Sequence, residues 1–358
     1  MALHFHPLRV KDIQRETPDC VSIAFDIPSD LKDEFIFTQG QNINIRKLFN
    51  GEDIRRTYSI CTSPLDNELR VAVKKMSNGL FSAWANSELK KGDTLDVMPP
   101  SGNFNTKLNN ANKNNYIAFA AGSGITPVMS IIKTTLQAEP QSTFTLVYGN
   151  KNTRSIIFKE QLEALKDKYM ERFRLHHVLS RERIDAEINY GRIDEQKCEQ
   201  LKKIIDYNSF DHFFLCGPEA LIFTVKDFLE KIGIDKKKIH FELFTTPDRK
   251  QQTLKNKTEK SSSEQTSNIS VILDGRSFDF ELDHDSNSIL DAALAAGADL
   301  PFACKGGVCC TCKAKLLEGE VEMEVNYGLE PDEVEAGFIL TCQSHPRTKK
   351  VVVDFDVK

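Results

Sequence analysis

The chain has 358 residues, 40% of them hydrophobic and 28% charged, which predicts a globular protein of two or three domains. The net charge of −5 is unevenly distributed: residues 269–358 hold 17 acids against 8 bases, whereas the preceding residues hold 35 acids against 39 bases. An acidic tail on a mildly basic body argues against a nucleic-acid partner. It favours docking of the tail onto the body or onto a basic protein. An equal alternative is that the acidic surface only aids solubility.

Membrane and secretion signals are not evident in the sequence. No apolar run approaches the length of a membrane span, and the first ten residues lack the pattern of a signal peptide. We therefore expect a cytoplasmic protein without a membrane partner. The nine cysteines then favour metal or redox chemistry over disulfides.

Residues 1–108 show short alternating segments with turn residues between them. A single helix-like stretch runs from Leu80 to Leu89, and the strand-like segments include CVSIAFDIP, NINIRKLF, RTYSICTSP and ELRVAVKKM. This pattern is typical of an antiparallel β-barrel or sandwich.

Residues 112–244 alternate strand-like and helix-like segments. The strand-like segments are YIAFAA, TFTLVYGN, FRLHHVLS, HFFLCGP and IHFELF. The helix-like segments between them include VMSIIKTTLQ, FKEQLEALKDKY and EALIFTVKDFLEKIG. Such alternation predicts a parallel sheet with helices on both faces.

Residues 245–268 contain one leucine, no aromatic residue and many Lys, Gln, Ser and Thr, so we predict a flexible linker. Residues 269–358 follow as a small α+β domain. Its predicted strands are ISVILDG, SFDFEL and KVVVDFDV, and its helix is SILDAALAAG, followed by a cysteine-rich loop.

The cysteine-rich loop has metal-ligand spacing. Cys304, Cys309 and Cys312 form C-x4-C-x2-C, and Cys342 follows in the segment LTCQS. This spacing is typical of a plant-type [2Fe–2S] site, in which two irons bridged by two sulfides need four thiolates. The two glycines of the loop let its backbone wrap around the cluster.

A zinc site or two disulfides are the alternatives for these cysteines. Zinc usually binds two close pairs of Cys or His, and no second pair lies near Cys342. Disulfides do not suit the expected compartment. We predict that the iron ligands are Cys304, Cys309, Cys312 and Cys342, and that Cys310, between two of them, points away.

Two short stretches of the first segment suit a flavin nucleotide. In RTYS, from Arg56 to Ser59, alternation places Arg56 and Tyr58 on one face, so that a guanidinium can hold a pyrophosphate while a phenol ring lies against a flat heterocycle. Any barrel strand could contain this pattern by chance. GLFS, from Gly79 to Ser82, opens the predicted helix and suits a phosphate; an ordinary turn is the alternative.

The stretch AAGSGITP suits a dinucleotide. We predict Thr126 as the N-cap and Pro127 as the first residue of the following helix, so that the helix start faces a glycine turn. The proline replaces the third glycine of the dinucleotide fingerprint, and no acid ends the second strand to bind a ribose hydroxyl. Ser180 and Arg181, at a later strand end, instead suit a 2′-phosphate and favour NADPH over NADH; a solvated arginine is the alternative.

The segment LCGPE places Cys216 at the carboxyl edge of a strand, where ligands bind in open α/β sheets. A buried structural cysteine is the alternative, and we prefer that interpretation for Cys20, Cys61 and Cys198.

Taken in this order, R-x-Y-S, G-x-x-S, G-x-G-x-x-P and C-G-P resemble the motifs of the ferredoxin–NADP reductase superfamily. With the C-terminal cysteine loop, the chain is similar to the oxygenase reductases, and CKGGVCCTC resembles the loop in reductase subunits of the phenylacetyl-CoA epoxidase type. The resemblance implies an antiparallel β-barrel FAD domain, an α/β parallel-sheet NAD(P) domain and a β-grasp ferredoxin domain.

The resemblance also implies residue roles. Arg56 would hold the FAD pyrophosphate, Tyr58 would stack on the isoalloxazine, and Ser59 would hydrogen-bond near flavin N5, which requires the strand to bend. Cys216 would approach the nicotinamide, and FELF offers Glu242 and Phe244 where plant-type relatives have a C-terminal tyrosine. The catalytic candidates are Ser59, Cys216 and Glu242. The cofactor-binding candidates are Arg56, Thr57, Tyr58, Ser59, Val73, Gly79, Leu80, Phe81, Ser82, Gly122, Gly124, Thr126, Pro127, Ser180, Arg181, Cys216, Gly217, Pro218 and Phe244.

The implied function is electron transfer from NADPH through FAD and a [2Fe–2S] cluster to an oxygenase component, with phenylacetyl-CoA epoxidation as the implied reaction. A nicotinamide gives two electrons together, a cluster takes one, and a flavin can do both. We expect the linker to let the ferredoxin domain alternate between flavin and acceptor. The alternatives are a reductase for a fatty-acyl desaturase or ring-hydroxylating oxygenase, an electron carrier without its own NADPH oxidation, and a structural metal-binding scaffold.

Overall fold

The structure, a computed structural model, describes residues 4–183, 186–244, 266–284 and 286–357. Its internal contacts divide the chain into two units. The first unit comprises residues 1–6, 44–57 and 245–358, and the second comprises residues 7–43 and 58–244. Among the described residues, no helix combines the length and the apolar character that crossing a bilayer requires.

Six strands of the N-terminal part form one sheet. They are β1 (His6–Thr17), β2 (Cys20–Asp26), β3 (Asn42–Phe49), β4 (Glu52–Ser59), β5 (Leu69–Lys74) and β6 (Thr94–Val97). The sheet order is β4–β3–β6–β1–β2–β5, and β2 pairs antiparallel with both β1 and β5. The single helix α1 (Leu80–Ser87) begins directly after Gly79, as predicted. The antiparallel sheet predicted for the FAD domain is therefore confirmed.

The middle of the chain is a doubly covered parallel sheet, as predicted. Its strands are β7 (Asn115–Ala121), β8 (Thr143–Asn150), β9 (Phe173–Leu179), β10 (His212–Gly217) and β11 (Ile239–Leu243), in the order β11–β10–β7–β8–β9, all paired in parallel. The helices are α2 (Ile125–Ala138), α3 (Lys159–Lys168), α4 (Glu195–Leu201) and α5 (Glu219–Lys231). The central strands read as nearly continuous apolar runs because both faces of the sheet are buried.

The start of α2 corrects one prediction. Gly124, not Thr126, is the N-cap, and the helix begins at Ile125 because a 3-10 turn leads into it without an extended residue. The Thr126 hydroxyl donates to the Ser123 carbonyl at 3.0 Å instead of capping. Pro127 is thus the third helical residue, where its missing N–H leaves no helical bond unmade.

The C-terminal part is a mixed sheet with short helices. Its strands are β12 (Thr266–Leu273), β13 (Arg276–Asp283), β14 (Lys313–Glu318), β15 (Val321–Met323), β16 (Phe338–Leu340), β17 (Ser344–Pro346) and β18 (Lys350–Asp354). The main sheet has the order β13–β12–β18–β14–β16, with β12 and β18 parallel, and β15 pairs with β17. The helices are α6 (Ile289–Ala295), capped by Ser288, and α7 (Pro331–Glu335).

The predicted linker, residues 245–268, lies outside the described residues as far as residue 265. Residues 266–268 were predicted as its end but begin β12 instead. They form a strand because they pair with β13, and Asn268 also pairs with β18.

Gly40 offers a test of the barrel packing. It has φ +82°, and a Cβ there would lie 1.9 Å from the Phe104 carbonyl oxygen, whereas Gly51, at φ +87°, has nothing within 4 Å of such an atom. Both alanine variants cost about 1–2 kcal/mol for the left-handed backbone, but only Gly40→Ala must also displace backbone. We expect Gly40→Ala to lower the free energy of unfolding by at least about 2 kcal/mol more than Gly51→Ala, measured by chemical denaturation. Equal losses would contradict this packing.

Candidate functional site

The stretch RTYS lies at the end of β4 and is only partly covered. Arg56, Thr57 and Tyr58 are half-buried, and Ser59 is buried. The Arg56 guanidinium donates to the Arg55 carbonyl at 2.8 Å, and the Tyr58 ring centroid lies 5.6 Å from that of Phe81. A guanidinium and a phenol that are both half-exposed on one strand suit contact with a flat, anionic cofactor such as FAD.

The three predicted catalytic residues lie together. The Ser59 hydroxyl donates to Glu242 Oε2 at 2.8 Å, and Glu242 on β11 is paired in register with Cys216 on β10. The side-chain nitrogen of Asn42 lies 3.5 Å from Glu242 Oε1. The sequence did not single out this asparagine. Burial, and secondarily the charge of Glu242, raises the pKa of the Cys216 thiol well above its usual range, so this thiol is neutral at physiological pH.

The start of α1 is a glycine turn closed by Ser82. The Ser82 hydroxyl donates to the Gly79 carbonyl at 3.1 Å and accepts from the Met76 N–H at 3.0 Å. A Cβ on residue 79 would lie 2.3 Å from Ser82 Oγ, so a larger residue there would displace the hydroxyl that closes the turn. The first-turn amides of a helix have no partners within the helix and suit a phosphate. Of the other candidates near this turn, Leu80 is exposed, whereas Phe81 and Val73 are buried.

Gly124 lets the start of α2 approach the end of β10, and Gly217 lets the ends of β10 and β7 lie close together. A Cβ on Gly124 would lie 2.1 Å from the Cys216 carbonyl oxygen, and one on Gly217 would lie 3.1 Å from Ala121 N. Gly122 has φ +55°, and its carbonyl accepts from the Tyr148 hydroxyl at 2.9 Å. Thr126 and Pro127 are buried within this packing, and Pro218 is the N-cap of α5. The predicted nucleotide residues thus meet at the carboxyl edge of the sheet, where such folds bind ligands.

The loop after β9 holds Arg181 at the same edge. The Ser180 and Arg181 N–H groups donate to the carbonyls of Asn150 and Lys151 at 2.9 and 2.8 Å. Thr153 donates to Glu182 through both its N–H and its hydroxyl, and these bonds lower the pKa of that carboxyl. The Arg181 side chain is exposed, as a 2′-phosphate contact requires. Phe244, directly after β11, is also exposed.

The four predicted cluster ligands form two thiol pairs. The Cys304 thiol donates to Cys309, which lowers the pKa of Cys309 to about 6, and the Cys312 thiol donates to Cys342, which lowers the pKa of Cys342. Within the described ranges, no three His, Cys, Asp or Glu side chains are placed to hold a single metal ion. Two pairs of thiolates, one pair for each iron, are what a [2Fe–2S] cluster needs.

Backbone donors of the loop surround these sulfurs. The N–H groups of Gly306 and Cys309 donate to Cys304 Sγ at 3.3 and 3.4 Å. Gly307 has φ +75°, and a Cβ there would lie 2.9 Å from the Val325 carbonyl oxygen. Buried thiols with N–H donors directed at sulfur, in a loop that needs glycine, fit an iron–sulfur cluster.

Cys310 faces away from the two pairs. It has φ +54°, and its sulfur lies 3.9 Å from the Val308 carbonyl oxygen. A Cβ on Gly328 would lie 2.6 Å from the same sulfur, so a glycine makes room for it. Burial raises the pKa of this thiol.

Three family models match the chain in succession. They are the oxidoreductase FAD-binding domain at residues 7–106, the oxidoreductase NAD-binding domain at residues 119–227 and the 2Fe-2S iron-sulfur cluster binding domain at residues 271–347. One component of the 1,2-phenylacetyl-CoA epoxidase of Escherichia coli K12 is 45% identical over 99% of this chain and 98% of its own length. This chain belongs to the oxygenase reductases of the ferredoxin reductase type with a fused [2Fe–2S] domain.

Other relatives of the reductase serve different oxygenases. The ferredoxin reductase component of the 3-ketosteroid-9-alpha-monooxygenase of Rhodococcus rhodochrous is 34% identical over 97% of this chain and 96% of its own. The glycine betaine monooxygenase reductase subunit of Pseudomonas aeruginosa is 28% identical over 98% and 95%. The reductase therefore uses FAD, a pyridine nucleotide and a [2Fe–2S] cluster to pass electrons to an oxygenase component. The predicted alternatives of a carrier without NADPH oxidation and of a structural scaffold are wrong.

Solved structures share the fold of the reductase. Phthalate dioxygenase reductase matches with a TM-score of 0.58 and 24% identity, covering 98% of both chains. An intact type IV self-sufficient cytochrome P450 monooxygenase matches with a TM-score of 0.69 and 21% identity, covering 98% of this chain and 41% of that one. The predicted three-part fold class is confirmed.

The two thiol pairs predict which cysteine is dispensable. We expect Cys310→Ala to retain iron, sulfide and the visible absorption of the cluster, because its sulfur faces Gly328. Cys309→Ala should lose most of the cluster, because one iron would lack a thiolate. Iron and sulfide analysis after anaerobic purification measures both variants, and cluster loss in Cys310→Ala equal to that in Cys309→Ala would contradict the assignment.

Proposed function

We propose that this reductase supplies electrons to a phenylacetyl-CoA epoxidase. The observation that carries the proposal is the 45% identity to the Escherichia coli epoxidase component, which extends over almost the whole of both chains. The ketosteroid reductase from Rhodococcus rhodochrous is less similar, at 34%. The reductase would act in the cytoplasm, where the thiols that bind the cluster stay reduced.

Reconstitution with candidate oxygenases tests this proposal. With NADPH, the reductase should support epoxidation of phenylacetyl-CoA by the oxygenase components of such an epoxidase. It should support 3-ketosteroid hydroxylation by the matching oxygenase much less. Comparable coupling to the steroid oxygenase, or coupling to that enzyme alone, would contradict the proposed partner.

The cofactors are assigned to three ranges: FAD to residues 1–108, the pyridine nucleotide to residues 112–244 and the cluster to the domain from residue 269. The family matches within each range support this division. Arg56 and the first-turn amides of α1 would hold the FAD pyrophosphate, and Tyr58 would lie against its ring. Gly122, Gly124, Thr126 and Pro127 would line the nucleotide site. When bound, FAD supplies the exchange between paired and single electrons.

The proposed role of Ser59 is to present an acceptor oxygen at the flavin. A hydroxyl carries one hydrogen, and Ser59 donates it to Glu242 at 2.8 Å, so the Ser59 oxygen is left to accept from a neighbouring N–H. Glu242 would act as the positioning residue for this hydroxyl. Cys216 would supply a small, neutral contact to the nicotinamide at the edge of the sheet, since its pKa is raised by burial.

The pair of Ser59 and Glu242 can be tested by rapid mixing. We expect Ser59→Ala and Glu242→Ala to slow flavin reduction by NADPH by about tenfold or more while FAD content is retained, because an oriented hydrogen bond at the reacting centre is lost. Ser87→Ala, which removes an exposed helix hydroxyl, is the matched control and should react at the unaltered rate. A normal rate of flavin bleaching in Ser59→Ala would contradict the role.

Arg181 is proposed to select NADPH over NADH. A guanidinium bound to phosphate contributes about 1.5–3 kcal/mol, so Arg181→Ala should raise the dissociation constant for NADPH roughly tenfold or more while NADH binding changes little. Arg183→Ala is the control, because that guanidinium packs over the Tyr190 ring at 4.8 Å. Binding titrations with both nucleotides measure the effect, and equal losses for the two would count against a 2′-phosphate contact.

A further inference from the structure

A chain of hydrogen bonds, buried from Asn44 onwards, connects β4 to the cysteine loop within the first unit. The Thr57 hydroxyl donates to Asn44 Oδ1 at 2.7 Å, and Asn44 Nδ2 donates to Thr311 Oγ1 at 2.7 Å. The Thr311 hydroxyl lies 3.2 Å from Cys309 Sγ. Asn44 is fully buried and Thr311 is 3% exposed, so water does not compete for the bond between them or for the contact of Thr311 with sulfur.

The series of hydrogen bonds has a direction because each hydroxyl carries a single hydrogen. Thr57 donates its hydrogen to the Asn44 carbonyl, which turns the amide nitrogen towards Thr311. Since Thr311 accepts from that nitrogen, its own hydrogen is left for Cys309 Sγ; the carbonyl oxygen of Cys309 is farther away, at 3.5 Å. With the opposite amide orientation, Thr311 would donate to Asn44 and the bond to sulfur would be lost.

A second contact holds the same parts of the first unit together. Arg55, on β4, is 6% exposed, and its guanidinium lies 4.0 Å from the centroid of the Phe302 ring and donates to the Leu300 carbonyl at 3.3 Å. Asp53 accepts from the same guanidinium at 2.9 Å. Residues 300–302 lead directly into the cysteine loop. The segment that enters the loop is therefore fixed on β4 independently of Asn44.

We propose that Asn44 is a positioning residue that holds the Thr311 hydroxyl on the sulfur of Cys309 and so raises the reduction potential of the cluster. The proposal rests on the assignment of Cys309 as a cluster ligand. A hydrogen bond to a ligand sulfur stabilises the reduced cluster, which carries one more negative charge. The cluster would thus accept an electron more readily while the loop is seated on β3 and β4 than without that contact.

An EPR-monitored redox titration of the full holo-reductase tests the proposal. At the potential where half of the wild-type clusters are reduced, the ratio of reduced to oxidised cluster in Asn44→Ala should be about threefold to tenfold lower. One hydrogen bond contributes roughly 0.5–1.5 kcal/mol, which corresponds to such a change. Thr311→Val should shift the potential in the same direction, and Thr311→Ser should restore it. The double variant Asn44→Ala/Thr311→Val should shift no further than Thr311→Val, because both changes remove the same bond.

Thr57→Val and Thr341→Val complete the design. Thr57→Val removes the group that orients Asn44 with little change in volume, so it should lower the potential even if Asn44→Ala does not fold. Thr341→Val is the matched control: its buried hydroxyl donates to the Cys312 carbonyl at 3.0 Å and not to a sulfur, so the potential should stay unchanged.

Two results would overturn the proposal. An unaltered potential in Thr311→Val would show that its hydroxyl does not donate to the ligand sulfur. An unaltered potential in Thr57→Val and in any folded Asn44 variant, beside a shifted one in Thr311→Val, would show that Asn44 does not position it. A wild-type chain without iron and sulfide would instead refute the proposed cluster ligands, so the two failures are distinguishable.

Discussion

The mismatch between paired and single electrons is the constraint on which this molecule depends. A nicotinamide gives up two electrons together as hydride, whereas a [2Fe–2S] cluster accepts one at a time. A flavin can exchange both ways, so the chain must bring a nucleotide to one side of a flavin and a cluster within reach of it. The succession of FAD-binding, NAD-binding and 2Fe-2S domains in one polypeptide follows from this requirement.

Strand β4 contributes residues both to the proposed site of flavin reduction and to the hydrogen bonds that reach the cysteine loop. Its last residue, Ser59, bonds to Glu242 beside Cys216, at the carboxyl edge of the parallel sheet, in the second unit. Two residues earlier, Thr57 begins the hydrogen-bond chain to Asn44 and Thr311 in the first unit. The same strand therefore carries one contact proposed for flavin reduction and another proposed to set the reduction potential of the cluster. The protein contributes orientation and local electrostatics, and the redox chemistry belongs to the cofactors.

Local patterns predicted much of this arrangement. Alternating apolar residues identified β3, although its first four residues are buried on both faces. Long apolar runs identified the parallel strands, because burial on both faces leaves a direct trace in the sequence. The spacing of the cysteine loop singled out four thiols that the fold does bring together in two pairs. Helix α4 and the strands β14 to β17 were not among the predicted elements.

Local patterns could not predict features that depend on contacts between distant parts of the chain. Thr126 looked like an N-cap, but the 3-10 turn before α2 moves the cap to Gly124. Asn44 and Thr311 are 267 residues apart, and Asn42 and Glu242 are 200 apart, so only the folded chain reveals that they meet. A buried asparagine on a barrel strand carries no local signal of its partner.

The most direct test of the account is an anaerobic titration of the holo-reductase with NADPH, followed by visible absorption and EPR. The account predicts that each chain takes up one electron more than its flavin alone can hold, and that the cluster signal grows as NADPH is added. The account would be contradicted if the flavin bleached while the cluster stayed oxidised, so that each chain took up only the two electrons that its flavin can hold.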